Sequence, residues 1–285
     1  MEVVTNLDSL SEALARFDQT GSSTAFVPTM GNLHAGHILL IERGLALADI
    51  VVASIFVNPM QFGPNEDLDA YPRTLQADID KLKAAGTALL FAPSPDCIYP
   101  DGVSAHTQVI VPGLTDVLCG ASRPGHFDGV SSIVCKLLHM VKPDIAIFGE
   151  KDLQQLLVIR KMVADLCLPV RIEGVATARD ADGLALSSRN GYLSDMERSI
   201  APGLQRCLQK CAEQIRNGAE NFTTLSQEAK NSLQASGFRP DYFEIRRSSD
   251  LQIARPGDTT IAIFAAAQLG STRLIDNLQL VLSDG

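Results

Sequence analysis

The 285-residue chain has no excess of basic charge: 24 Lys and Arg stand against 33 Asp and Glu, a formal net charge of −9. Duplex-binding proteins normally show a basic excess or stripe, so nucleic acid is not expected as a partner. Long apolar runs are also missing. The longest, residues 49–57 and 260–267, reach strand length and fall well short of the roughly 20 residues that span a bilayer, so no membrane partner is expected. Residues 1–20 carry Glu2, Asp8, Glu12 and Asp18 but no cationic segment followed by an apolar one. No secretory signal is expected there, and a cytoplasmic location is. The six cysteines (Cys97, Cys119, Cys135, Cys167, Cys207, Cys211) form no C-x-x-C pair, and four lie in runs that read as helix or apolar core. Reduced thiols are the expectation. The chain also lacks the phosphate loop G-x-x-x-x-G-K-[ST], the zinc helix H-E-x-x-H and the nucleophile elbow G-x-S-x-G, which sets aside the mechanisms those motifs serve. No internal repeat or low-complexity segment is visible.

What is present is an ordinary globular composition, 46% hydrophobic and 20% charged with 21 Gly and 14 Pro. At about 100 to 200 residues per domain, the length allows one large domain or two. The first 175 or so residues alternate β-branched apolar runs with segments of helical period, the pattern of a parallel α/β sheet. Strands are expected at 24–27, 50–57, 88–92, 144–148 and 170–175, and helices near 33–48, 74–85, 130–141 and 151–166. Three polar strand-to-helix turns, 28–32, 58–62 and 149–152, then fall on one edge, where open parallel sheets bind ligands. Beyond Arg179 the loop DADGLALSSRNG interrupts the alternation. Helical stretches near 195–216 and 222–236 follow, then strand-like DYFEIRR, IAIFAAAQL and RLIDNLQLVL with a turn at Gly270 and Ser271. The expected division is a Rossmann-like domain over 1–175 and a smaller α+β domain over 176–285, packed directly together because no linker separates them.

Each turn carries residues with chemistry. In TAFVPTMGNLHAGHILLIERG, a helix starting near Leu33 puts His34 and His37 three apart on its first turn, on one face. A helix N-terminus offers free N–H groups and a partial positive charge to phosphate, and two imidazoles there add donors. Gly31 and Gly36 allow close backbone approach. By residue type alone, a local cap and a hydrogen-bonded core histidine explain the same pair. In SIFVNPMQFGPNEDLDAYPRT, the amides Asn58 and Gln61 and the phenol of Tyr71 suit the hydroxyl and carboxylate groups of a small substrate, although a plain polar turn would read the same. DIAIFGEKDLQQL places Gly149, Glu150, Lys151 and Asp152 where strand becomes helix, with Lys151 able to act as a point charge on phosphate, or simply to be solvated. One of Gln154 and Gln155 should face the same cleft. LALSSRNGYL supplies Ser187, Ser188 and Arg189 as donors with no base to activate a serine, so a hydrolase nucleophile is a poor reading.

Taken together, VPTMGNLHAGH, SIFVNPMQFGPNEDLDAYPRT, ASRPGHFDGV, FGEKDLQQL, DGLALSSRNGYL and RLIDN resemble the pantoate–β-alanine ligase family, in the family's order and spacing along nearly the whole chain. His34-Ala35-Gly36-His37 resembles the H-x-G-H signature of the wider nucleotidyltransferase superfamily, which includes class I aminoacyl-tRNA synthetases. The resemblance implies ATP- and Mg²⁺-dependent adenylation of pantoate, then attack by the β-alanine amine to give pantothenate, AMP and pyrophosphate. It implies ATP contacts from Met30, Gly31, Asn32, Leu33, His34, Ala35, Gly36 and His37, from Gly149, Glu150, Lys151 and Asp152, from Ala178, and from Leu186, Ser187, Ser188 and Arg189. It also implies pantoate binding by Gln61 and Gln155, with Asn58 and Tyr71 as neighbours, a proton-donor role for His37, a homodimer, and a hinged C-terminal lid.

An ionised carboxylate needs no base to attack phosphorus, so His34, His37, Lys151, Ser188 and Mg²⁺ are expected to act mainly through charge and position, with Arg189 counted among the catalytic residues. In the second step the amine must be neutral to attack and must later lose a proton, where His37 could help. Two departures stand out: Cys119 where many members of the family have Glu, and Ala178 where a larger aliphatic residue is common. Two other classes fit less well. A nucleotidyltransferase that needs no amine acceptor would not require both Gln61 and Gln155, and a non-catalytic nucleotide- or RNA-binding module would not retain the whole set of histidines, lysine and Ser-Ser-Arg loop. By residue type Asp78 is open to contact with Mg²⁺, the alternative being a metal held only by phosphates and water.

Overall fold

The structure, a computed structural model, describes residues 1–64 and 66–282. Its first sheet holds six strands: β1 (Glu2–Val4), β2 (Thr24–Thr29), β3 (Ile50–Ile55), β4 (Leu89–Phe91), β5 (Ile145–Gly149) and β6 (Arg171–Val175), in the order β1-β4-β3-β2-β5-β6. Every pairing is parallel. β2, β3 and β5 are nearly solid apolar runs because helices cover both faces of the sheet, which leaves no side for alternating polar residues. The covering helices include α1 (Leu7–Gln19), α2 (Ala35–Leu47) and α3 (Leu75–Ala84), then the single turns α4 (Pro95–Ile98) and α5 (Cys119–Ser122), and finally α6 (His126–Val141) and α7 (Leu153–Asp165). The five strands expected from sequence stand within a few residues of their expected bounds. β1 and α1 are additions to that expectation: β1 has three residues at the sheet edge with one of them buried, and α1 buries only Leu10 and Ala13.

From β2 the chain winds outward through β3 and β4 on one side, while β5 and β6 lie on the other. The strand order therefore reverses between β2 and β5, and the carboxyl ends of these neighbours open a crevice. The turns carrying the histidine pair and Lys151 flank it.

Beyond β6 come α8 (Asp195–Ile200), α9 (Gly203–Arg216) and α10 (Phe222–Ala235), then β7 (Arg239–Arg247), β8 (Thr260–Leu269) and β9 (Thr272–Val281) in an antiparallel sheet. β8 explains how the two parts join. Ile261, Ile263, Ala265 and Ala267 enter a core made with α9 and α10, while Ala262, Phe264 and Ala266 pack into the core beneath α6 and α7. A strand with period 2 that is buried on both faces reads as one unbroken apolar run. All six cysteines are unpaired. Among the described residues no helix is long and apolar enough to cross a membrane.

Candidate active site

His34 is not on the first turn of α2. It is the residue before that turn, its backbone extended, and its Nδ1 accepts the Gly36 N–H at 3.1 Å. His37 reaches back, its Nδ1 accepting the His34 N–H at 3.3 Å. The pair thus forms a reciprocal cap built from two imidazoles, the geometry usually made by a hydroxyl and a carboxylate. Capping and site chemistry do not compete here. With both Nδ1 atoms accepting, each neutral ring carries its proton on Nε2. Burial, then the positive charges of Lys151 and Lys81, pull His34 down to about 4. Burial, the neighbouring His34 and then Lys151 and Lys81 pull His37 down to about 3. Both rings are therefore neutral hydrogen-bond donors at pH 7. Gly36 is required because a Cβ there would lie 2.9 Å from Cε1 of His34.

The turn ahead of α2 is held by Asp78. Its Oδ2 accepts the Asn32 N–H at 2.8 Å and the Thr74 hydroxyl at 3.1 Å, and its Oδ1 accepts the Leu33 N–H at 2.8 Å. This fixes Gly31 and Asn32 at φ 80° and 49°. Asp78 is completely buried, and these bonds occupy both of its oxygens, which makes it a brace for the turn.

Asn58 lines the cleft, as a neighbour of the pocket should, but its polar atoms face inward. Its Nδ2 donates to Gln61 Oε1 at 3.2 Å and to Gly129 O at 3.1 Å, and its Oδ1 accepts the Tyr99 hydroxyl at 2.6 Å and the Met60 N–H at 3.3 Å. With its polar atoms spent inside the protein, Asn58 orients Gln61 and has none left for a ligand. The Gln61 backbone carbonyl accepts the ring N–H of His126 at 2.8 Å, and the other ring nitrogen of His126 faces the Arg123 guanidinium at 3.0 Å. Arg123 is held in turn by Glu66. Burial, then Arg123, lowers His126 to about 4. The RPGHF segment is thus a support for Gln61, a role its residue types did not reveal.

Gln154 and Gln155 part company. Gln154 is buried and bonds Leu114 O, Val117 O and the Cys119 N–H, whereas Gln155 lines the cleft. Lys151 is mostly buried, its nearest acid being Asp152 at 3.8 Å. From the far side, Ser188 donates to Asn32 O at 3.2 Å and Leu186 N–H bonds Ala178 O at 2.9 Å. Arg189 forks onto Asp67 at 3.1 and 2.8 Å, its guanidinium 5.9 Å from the centre of the buried Tyr71 ring. Burial pushes the Tyr71 phenol up.

A chamber of about 250 Å³ is lined by His34, Gly36, His37, Gly149, Lys151, Gln155, Ala178 and Leu186 to Arg189, with Met30, Gln61 and Tyr71. Gly31, Asn32, Leu33, Ala35 and Glu150 are not in its lining. Through Met30, Gln61, Lys151 and Gln155 it adjoins a second space of about 760 Å³, walled by Cys119, Arg123 and the strands β7 to β9. The second wall, with Tyr242, Arg273, Asp276 and Asn277, is what sequence reasoning missed, apart from the fragment RLIDN. Among the described residues no cluster of three or more His, Cys, Asp or Glu side chains is gathered as a metal cage.

A helix start, two Nε2–H donors and one ammonium at a strand-order reversal define an α/β enzyme of Rossmann-like class with a crevice rich in hydrogen-bond donors. The family model described as pantoate-beta-alanine ligase matches residues 2–279. A pantothenate synthetase from Pseudomonas aeruginosa is 56% identical over 282 residues, covering 99% of this chain and 100% of its own. A crystal structure of pantothenate synthetase from Thermus thermophilus superposes with a TM-score of 0.91 at 44% identity, over 98% of this chain and 99% of that one. The Francisella tularensis pantoate-beta-alanine ligase, crystallised with beta-gamma ATP and beta-alanine, gives a TM-score of 0.80 at 34% identity, over 98% and 97% of the two chains. The chain belongs to the pantoate-beta-alanine ligase family, and the expected Rossmann-like fold is the one observed.

Proposed function

We propose that the protein joins pantoate to β-alanine in two steps within this cleft. The pantoate carboxylate attacks the α-phosphorus of ATP, pyrophosphate leaves, and a pantoyl adenylate remains. The β-alanine amine, in its neutral form, then attacks the acyl carbon of the adenylate, AMP departs with the bond to the acyl carbon broken, and the nitrogen passes its extra proton to His37 or to solvent, giving pantothenate. The observation that carries this reading is the pair of Nε2–H groups at the start of α2 beside Lys151, in a chamber shared with Gln61 and Gln155. Negative charge grows on the phosphate oxygens as phosphorus becomes five-coordinate, and preorganised donors stabilise it without reorganising.

His34, His37 and Lys151 take the phosphates, with the backbone from Met30 to Gly36 and from Gly149 to Asp152 around the nucleotide and Ala178 beside it. Leu186 to Arg189 close over them. Gln61 and Gln155 hold pantoate, with Asn58 behind Gln61 and Tyr71 beside Arg189. Burial opposes imidazolium in either ring, so His37 meets the phosphates in the first step as a neutral hydrogen-bond donor. Mg²⁺ enters with ATP, carried on phosphate oxygens, its usual way of binding at such sites. Residues 176–285 form the lid over the domain at 1–175, and the protein works as a cytoplasmic homodimer. A closed, water-poor site also protects the mixed anhydride from hydrolysis.

The test is incubation with ATP, Mg²⁺ and pantoate, with and without β-alanine, following pyrophosphate, AMP and pantothenate by mass spectrometry. Pyrophosphate exchange with pantoate alone, and AMP with pantothenate only when β-alanine is added, is the expected result. No exchange with pantoate while ATP binds would remove the substrate assignment.

A further inference from the structure

Two adjacent side chains on β9 reach the cleft from the second sheet, and the chemistry above gives neither of them a task. Asp276 and Asn277 are 5% and 7% exposed. Asp276 receives both terminal nitrogens of Arg179, at 2.7 and 2.9 Å. The same guanidinium donates to Gly183 O at 3.1 Å, and Arg179 bridges Ala185 across a short antiparallel ladder. Asp276 therefore grips the root of the hairpin that leads into Ser188 and Arg189.

Asn277 grips the opposite wall. Its Nδ2 donates to Glu150 O at 2.8 Å and to Lys151 O at 2.9 Å, using both amide hydrogens on consecutive carbonyls of one tight turn. Its backbone N–H donates to Asp276 Oδ1 at 2.8 Å, which holds the Asp276 carboxylate against the backbone of β9. The charge partner of Lys151 is its chain neighbour Asp152 at 3.8 Å, which belongs to the same turn. Whatever holds that turn aims the ammonium.

We infer that Asp276 and Asn277 are a positioning pair: Asn277 sets the turn that aims Lys151, Asp276 sets the hairpin that carries Ser188, and as neighbours on β9 they tie the two phosphate-facing walls to one strand. The inference rests on the proposed ATP site. Neither residue touches substrate; both act through others. A displacement of about 1 Å at a charge that must meet a reacting phosphate can cost roughly 100-fold in rate, so a support of this kind should be kinetically visible.

The experiment is a double-mutant cycle read by single-turnover pyrophosphate release from ATP and pantoate, in full-length protein well below each variant's melting temperature. Asn277→Ala should slow the step about 10- to 100-fold in the wild-type background while leaving the KM for pantoate unchanged. In the Lys151→Ala background the same change should cost less than about threefold, because the group it aims is gone. Equal slowing in both backgrounds would show that Asn277 does not act through Lys151 and would overturn the inference, as would no slowing in the wild type. If Asn277→Ala does not fold, Asn277→Ser keeps one donor and enters the same cycle with a smaller loss. Absence of pyrophosphate from the wild-type protein would instead remove the underlying ATP and pantoate reading, so the two failures are distinct.

Discussion

The rings of His34 and His37 lie 4.1 Å apart, centre to centre, each Nδ1 taking a backbone N–H so that each Nε2 carries the ring proton. One arrangement closes the helix start and arms the cleft. Separating those two tasks is the most direct test of the site.

Asn is among the best N-cap residues, so His34→Asn should preserve the cap while removing the Nε2 donor. Thermal stability should stay near that of the wild type, and turnover should fall by roughly 100-fold, the loss typical of one transition-state donor. A large drop in melting temperature with activity retained per folded molecule would reduce His34 to a cap.

The pH dependence follows from the same burial. His34 and His126 sit at about 4 and His37 at about 3 in the folded chain, against 6.5 for an ordinary histidine. As pH falls below 6.5 the unfolded chain takes up these protons first. The stability is thus complete above 6.5, declines as pH drops toward 4, and finishes its loss near the folded values. Chemical denaturation from pH 7.5 to 5 should show the decline. Ring signals of the three residues in NMR should not titrate over that range, and midpoints near 6.5 would contradict the burial argument.

Lys151→Ala should leave the fold intact and cut turnover by roughly two to three orders of magnitude, since no other charge can replace an ammonium preorganised for the reacting phosphates. Steady-state kinetics with a melting curve decides it; near wild-type turnover in a folded variant would end that role.

Gln61→Ala should raise the KM for pantoate roughly 5- to 10-fold, the worth of about one neutral hydrogen bond, and leave the KM for ATP nearly unchanged. Equal effects on both substrates would point to collapse of the Asn58–His126 support and away from lost contact with pantoate.

Asp78→Asn should destabilise the fold by about 3 kcal/mol, because one of the oxygens now accepting from Asn32, Leu33 and Thr74 becomes a donor facing a donor. Urea melts measure it. An unchanged midpoint would mean that the turn ahead of α2 holds itself.

By itself the sequence determined the parallel sheet, through apolar runs too continuous for any surface strand. It also determined the crevice, through three polar turns that such a sheet must bring to one edge. It named the donors as well: the two histidines, Lys151, Gln61 and the Ser-Ser-Arg loop are all at the cleft. What only the tertiary structure decided was which donors remain free. Asn58 and Gln154 carry the same amide as Gln61 and Gln155, yet Asn58 is consumed by Tyr99 and Gly129 and Gln154 by Leu114 and Val117. Asp78 has the residue type of a metal contact and is spent on the turn 46 residues before it in the chain. Asn277 meets Glu150 across 127 positions. A residue type states what a side chain can donate or accept. Which partner comes within about 3 Å, and so whether any capacity is left for a ligand, is settled by how the elements pack.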